Sequence, residues 1–374
     1  MKPLKVGIAG LGRIGRGVIR ANHSKLMDGR FDIRVICDVM PIEQLTYLLA
    51  HDTTYGKPPY NVDCTDNEIV IGNKKIRYEQ VDRRRSQSGE YYESMQAYEL
   101  DVLVDSTGTA SIDDLHLMLE HNVAKKILCT NNIKGADISL VYGVNEDAYD
   151  PALHRVVTSS TCTGNAFAPI AYILNEHFGI VHGRVVTIHP LLSDQRVLDG
   201  FHPTAQLGRA CAASIIPTTT GVGTSAVMVI PELEGKLDCL SYRVPTEIVS
   251  VIDVSATLAK NTTLEECVEL FEHYAKTGMA GIIQCDYGAW GQQRASIDYL
   301  GSEYSSVLLM KQLSVQNGRQ VGLALMHDNE MAYCCRVLDV LGVMSRAQYI
   351  QKQKRSYQTP KSEVAHKHVV EMLG

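Results

Sequence analysis

What the 374-residue, 41.3 kDa chain lacks narrows its class first. It has no run of about 18 uncharged apolar residues, which excludes a membrane-spanning helix. Positive charge is not in excess: 36 Lys and Arg stand against 42 Asp and Glu, for a formal charge of −6, so no global basic field is available to a nucleic-acid backbone. Aromatic residues make up only 6%, with Trp290 the single tryptophan, which favours aliphatic α/β packing over an aromatic-rich sandwich. Ten cysteines are present, yet none is paired in C-x-x-C spacing. The opening Met1-Lys2-Pro3-Leu4-Lys5 runs into a glycine-rich stretch rather than a signal-peptide core. Reduced thiols in a cytoplasmic protein are expected, with no disulfides and no metal site.

What is present suits a globular protein: 45% hydrophobic and 21% charged residues, with mean hydropathy −0.07. At roughly 150 residues per domain the length implies two or three domains. Lys5 to Ala9 reads as an apolar strand, and Gly10-Leu11-Gly12-Arg13-Ile14-Gly15 leads from it into Val18, Ile19 and Ala21 at helical spacing. A second strand, Ile33 to Cys37, ends at Asp38, 23 positions after Gly15. Strand, glycine turn, helix, strand and acid form the dinucleotide-binding pattern of a Rossmann unit. The glycines let a pyrophosphate approach the helix N-terminus, where free N–H groups favour an anion. Asp38 is suited to accept from a ribose hydroxyl and to repel a 2′-phosphate, which favours NAD over NADP; the plainer alternative is a turn cap. Further strand ends at Asp105-Ser106-Thr107-Gly108, at Thr130 after Lys126 to Cys129, and at Ser159 after Val156-Val157 carry small or polar residues, as ligand-facing ends do. The candidate cofactor residues here are Gly10, Gly12, Arg13, Ile14, Gly15, Asp38, Thr107, Gly108 and Thr130.

From about Arg184 the pattern alternates, at Val185 to His189, Leu237 to Val244 and Ile248 to Leu258, which predicts an α+β domain with a mostly antiparallel sheet. Thr263-Leu264-Glu265-Glu266 has capping-box spacing ahead of Cys267, Val268, Phe271 and Tyr274. After Asp328-Asn329-Glu330 a last apolar helix runs to about Met344 and is expected to return to the first domain. The expected division is 1–161 with 329–345 for the NAD-binding domain and 162–328 for the catalytic one. A polar tail spans 346–374, with Lys352, Lys354, Arg355 and Lys361 read as solvated.

Ser159-Ser160-Thr161-Cys162-Thr163-Gly164-Asn165 precedes an apolar helix closed by Gly179, so Cys162 stands at a helix N-terminus. The dipole and free N–H groups there lower a thiol pKa and make a usable nucleophile. His189 follows 27 positions later at a strand end before Pro190. Taken alone, a cysteine is more often inert core and a strand-end histidine more often structural, so spacing leaves both readings open.

These strings, with Ile215-Ile216-Pro217-Thr218-Thr219-Thr220-Gly221, Arg243-Val244-Pro245-Thr246 and Asp328-Asn329-Glu330, resemble the glyceraldehyde-3-phosphate dehydrogenase family in order over nearly the whole chain. The resemblance implies a homotetramer that oxidises and phosphorylates a sugar-phosphate aldehyde with NAD and inorganic phosphate. It implies Cys162 as nucleophile and His189 as its activating partner, paired as thiolate and imidazolium. It further implies Asn329 and Tyr333 at the nicotinamide, and Thr161, Thr163, Asp194, Thr220, Gly221 and Arg243 at the phosphates. Departures include Thr161 for a serine, Gly164 for a threonine, Ala166 for a cysteine and Cys37 for an asparagine. Leu192 replaces a threonine that normally contacts substrate phosphate, and Leu207 falls at a phosphate-site arginine near the retained Arg209. Since an apolar residue at the Leu192 position and the Val197 to Pro203 string also resemble erythrose-4-phosphate dehydrogenases, that substrate stays open, as does a non-catalytic NAD-binding paralogue.

Overall fold

The computed structural model describes residues 4–23, 31–82 and 90–345, so the tail expected from Arg346 lies outside them. Two compact units result: one holds the described residues up to Thr161 together with those from Tyr333, and the other is Cys162–Ala332. The chain re-enters the first unit at Tyr333 rather than at Asn329. The side chain of Asn329 accepts a hydrogen bond from the Val249 amide at 3.2 Å, which holds it within the second unit.

Among the described residues the first unit has a nine-stranded sheet: β1 (Lys5–Ala9), β2 (Asp32–Asp38), β3 (Val62–Cys64), β4 (Glu68–Ile71), β5 (Lys74–Gln80), β6 (Leu100–Asp105), β7 (Ala124–Cys129), β8 (Ile138–Ser139) and β9 (Val156–Thr158). Its order is β3-β4-β5-β2-β1-β6-β7-β9-β8, parallel from β5 to β8, with the β3–β4–β5 edge antiparallel. The parallel strands are near-continuous Val, Ile and Leu, as strands covered on both faces must be. Register sets Ala9 level with Cys37 and Asp105, and Asp105 level with Cys129, so the carboxyl ends form one edge. Chain order reverses on either side of β1, and the crevice at such a switch point is where ligands bind in open α/β sheets. Helices α1 (Arg13–Asn22), α2 (Ile42–Ala50), α3 (Glu90–Gln96) and α4 (Ile112–Glu120) belong to this unit.

In the second unit α5 (Cys162–Phe178) leads into β10 (Ile180–His189), and β11 (Ile216–Thr218) is followed by α6 (Val222–Val229). Then come β12 (Leu237–Arg243), β13 (Ser250–Leu258), α7 (Leu264–Lys276), β14 (Ile283–Asp286), β15 (Ser306–Leu309), β16 (Ser314–Gln316) and β17 (Gln320–His327). The eight-stranded sheet runs β11-β12-β10-β13-β17-β15-β14, with β16 on β17. Most pairings are antiparallel, but β10–β12 and β14–β15 are parallel. The parallel pair brings the last residues of two strands, His189 and Arg243, level with each other. The final helix, α8 (Met331–Met344), starts where the Asp328 carboxylate accepts from the amides of Glu330 at 3.0 Å and Met331 at 2.8 Å. All ten cysteines, each within the described residues, are free thiols.

The capping box of α7 forms as its spacing predicts: Thr263 Oγ1 accepts from the Glu266 amide at 3.1 Å, and Glu266 Oε2 accepts from the Thr263 amide at 3.0 Å. Thr263→Ala should cost about 1 kcal/mol, the usual worth of such a cap, and lower the denaturant midpoint at unchanged slope. An unmoved midpoint would show that the cap adds nothing here.

Candidate active site

The glycine turn of the first unit depends on close backbone approach. Gly10 has φ +83°, and a Cβ there would stand 2.6 Å from the Thr107 amide nitrogen; at Gly15 it would stand 2.1 Å from the Gly10 carbonyl oxygen. Neither obstacle is a side chain that can swing away, so only glycine permits the turn. Gly12 differs: nothing lies within 4 Å of a Cβ built there. It is the N-cap of α1 and supplies no side-chain hydrogen bond, so no side chain of the cap residue stands between the helix terminus and an approaching anion.

Gly10, Gly12, Asp38 and Thr107 line one cleft, which the structure completes with Leu11, Val39, Ser106, Thr109, Asp82 and Tyr91. The Asp38 carboxylate accepts from the amides of Leu11 at 2.5 Å, Val39 at 2.7 Å and Met40 at 3.1 Å. It therefore caps its own turn and also braces the glycine turn, while facing the cleft. A backbone open to a phosphate, an uncapped helix terminus and an acid at the neighbouring strand end together fit a dinucleotide.

Other first-unit candidates serve the frame. Arg13 pairs with Asp52 at 2.8 Å, and Ile14 presents its carbonyl to the Cys334 thiol. Thr107 Oγ1 donates to Asp105 at 2.8 Å, Gly108 takes φ +65°, and the Thr130 amide donates to the Asp105 carbonyl at 3.0 Å. Tyr333 is buried, its hydroxyl sharing a hydrogen bond with Ser159 Oγ at 2.8 Å and donating to the Ser160 carbonyl at 3.2 Å.

In the second unit, Cys162 Sγ lies 3.8 Å from His189 Nε2. His189 Nδ1 lies 3.0 Å from the Pro190 carbonyl oxygen. A carbonyl only accepts, so Nδ1 carries the ring proton and Nε2 turns its lone pair to the thiol. Burial pushes the Cys162 thiol above its ordinary value; the N–H groups of Thr163 and Cys162 and the charge of Arg243 pull the other way without prevailing. The low thiol pKa expected from the helix terminus alone is thus overturned by desolvation. Burial, then Arg243, lowers the His189 imidazole to about 4, with the Pro190 hydrogen bond and Asp194 opposing. A lone thiolate and a lone imidazolium are both disfavoured here. A proton passed from Sγ to Nε2 leaves the net charge unchanged and sets two opposite charges side by side, so the two groups titrate as a pair.

Arg243 joins this group through the β10–β12 register, and Asp194, exposed on the turn after β10, acts electrostatically on both His189 and Arg243. Thr163 is buried in the first turn of α5, directly after Cys162, and Thr161 directly precedes it. Thr220 and Gly221 stand at the N-terminus of α6, where Thr220 Oγ1 accepts from the Val222 amide at 3.2 Å. Among the described residues no hydrogen bond ties Thr220 or Gly221 to the Cys162 group. Leu207 is buried at 8% exposure, Leu192 is 39% exposed, and Arg209 is held by Asp199 at 3.1 Å.

A Rossmann unit with an open glycine turn, joined in one chain to a unit holding a thiol–imidazole pair, defines an NAD-dependent oxidoreductase. Residues 4–112 match the family model for the glyceraldehyde 3-phosphate dehydrogenase NAD binding domain, and residues 161–329 match that for the C-terminal domain. The chain is 37% identical over 340 residues to glyceraldehyde-3-phosphate dehydrogenase of Geobacillus stearothermophilus, covering 90% of this chain and 97% of that protein. It is 36% identical over 342 residues to glyceraldehyde-3-phosphate dehydrogenase 1 of Bacillus cereus, covering 91% and 98%. The chain belongs to the glyceraldehyde-3-phosphate dehydrogenase family, and its cofactor is NAD.

Gly15→Val forces a side chain against the Gly10 carbonyl and should weaken NAD binding at least about tenfold, or about 1.4 kcal/mol, in a calorimetric titration. Unchanged affinity would separate the turn from the cofactor. His189→Asn leaves a half-buried thiol with no proton acceptor at Nε2. Its alkylation by iodoacetamide at pH 7 should slow roughly tenfold or more, with the pH midpoint moving upward. A midpoint that stays in place would mean that the imidazole does not take the thiol proton.

Proposed function

We propose that this protein oxidises glyceraldehyde 3-phosphate to 1,3-bisphosphoglycerate, reducing NAD and consuming inorganic phosphate. The observation that carries this reading is the 3.8 Å approach of Cys162 Sγ to an imidazole nitrogen whose proton is fixed on the far side of the ring. Sγ attacks the aldehyde carbon as its proton passes to Nε2, and Nε2 hands that proton on to the carbonyl oxygen, so the new C–S bond gives a neutral thiohemiacetal beside a neutral imidazole. His189 then accepts the hydroxyl proton of that adduct as C1 gives up its hydride and becomes a thioester. NAD, held at the Gly10–Gly15 turn and Asp38, supplies the hydride acceptor. A phosphate oxygen attacks the thioester carbonyl, and Sγ leaves as a thiolate that His189 can reprotonate.

Arg243 offers a planar donor fork for a phosphate beside the reacting carbon. The hydroxyls of Thr161, Thr163 and Thr220, the amide of Gly221 and the side chain of Asp194 are assigned to the same anions by family resemblance. The working form is taken as a cytoplasmic homotetramer on that resemblance too. A second reading, oxidation of erythrose 4-phosphate, is supported by resemblance alone, through the apolar side chain at Leu192 and the Val197 to Pro203 string.

Rates of NADH formation decide between them. Glyceraldehyde 3-phosphate should be the faster substrate and the reaction should need inorganic phosphate. Turnover only with erythrose 4-phosphate would select the second reading, and equal rates with and without phosphate would replace phosphorolysis by hydrolysis. His189→Asn should lower kcat by roughly 10²–10⁴, the usual worth of a general base.

A further inference from the structure

Beside His189 lies a patch of buried polar atoms that none of the roles above uses. The registers of β10, β13 and β17 align Ile188 with Val251 and Ser250 with His327. One step beyond Ile188 and Val251, Ser250 stands abreast of His189. Register partners project to the same face of a sheet, so His189, Ser250 and His327 form one row across three strands. Ser306 of β15 continues the row one step beyond the Val307–Met326 pairing, and its hydroxyl donates to the Ala166 carbonyl of α5. The row therefore faces the helix that begins at Cys162. Ser250 is 0% exposed and His327 1%. Ser250 Oγ and His327 Nε2 have no hydrogen-bond partner among the described residues, nor has Oγ1 of buried Thr187, two positions before His189 on the same face.

Orphaned buried polar atoms are rare, because each loses its bonds to water without replacement. Three of them around one imidazole are explained if their partner is a charge that exists only part of the time. We propose that Thr187, Ser250 and His327 are positioning residues that form a neutral, hydrated polar lining, and that this lining solvates the imidazolium created when His189 takes the Cys162 proton. The proposal rests on the reading of His189 as that base. Buried water bridging two or three such atoms is ordinary in proteins, and dipoles free to turn towards a new charge offset much of its desolvation. His327 contributes a dipole rather than a second charge, because burial and the nearby His189 lower it to about 3. The charged or titratable groups facing the pair are Arg243 from β12, Asp194 from the turn after β10, Glu330 ahead of α8 and His327 itself.

The test is the pH dependence of Cys162 alkylation by iodoacetamide in the full-length protein, read beside a melting curve for each variant. His327→Leu should raise the midpoint by about one pH unit and slow the reaction at pH 7 on the order of tenfold. His327→Gln, which restores a neutral dipole, should stay within about twofold of the parent. Ser250→Ala removes one buried oxygen and should shift the midpoint in the same direction, which keeps the test open where His327→Leu melts early. A parent-like midpoint in both His327→Leu and Ser250→Ala, with His189→Asn still shifted, overturns the lining and leaves the base reading intact. Failure of His327→Gln to rescue also overturns it. A parent-like midpoint in His189→Asn removes the base reading and the lining with it.

Discussion

Two ionisable side chains buried in contact exchange protons with each other more readily than with water, because desolvation penalises either charge alone and spares the pair. His189 is buried and Cys162 is half-buried against it, so the pair comes close to that condition, and much of the second unit serves it. The helix terminus supplies N–H groups to the sulfur, and the Pro190 carbonyl fixes the imidazole tautomer. The parallel β10–β12 pairing, an exception within a mostly antiparallel sheet, brings Arg243 level with His189. An antiparallel neighbour there would carry its last residue to the other end of β10. The placement of a guanidinium next to the pair thus follows from strand direction.

The first unit solves a different problem, the approach of an anion to bare backbone. Close contact between Gly10, Gly15 and the Thr107 strand end leaves no room for side chains, and the open flank at Gly12 is where a phosphate can come near. Asp38 braces that turn while lining the cleft, and the proposed recognition of the ribose would give the same carboxylate a second duty. Neither duty weakens the other, since a carboxylate has lone pairs for several donors.

Legibility followed how local each feature is. The glycine turn, the α7 capping box, the helix starting at Cys162 and the step to His189 are set by neighbours in sequence, and they could be read from residue order. The roles at Cys162 and His189 needed family resemblance, because a cysteine or a strand-end histidine is usually structural. What escaped reading depends on register: the parallel β10–β12 pair, the antiparallel β3–β4–β5 edge, and the row of Ser250 and His327 beside His189. Strands distant in the chain produce these, and a buried serine or histidine at a strand end carries no mark of its partner. The direction of the thiol pKa escapes the sequence for a related reason, since a helix terminus is visible there and the desolvation of the sulfur is not. Tyr333 and Asn329 show the same limit: their hydrogen bonds to Ser159, Ser160 and Val249 join residues far apart in the chain.

Intact-protein mass spectrometry addresses covalent chemistry at Cys162 directly. Protein mixed with NAD and glyceraldehyde 3-phosphate in the absence of phosphate should gain one 3-phosphoglyceroyl group, located by peptide mapping to Cys162, and should lose it when inorganic phosphate is added. Formation of NADH with no acyl group on Cys162, or with the group on another residue, would show that Cys162 is not the nucleophile.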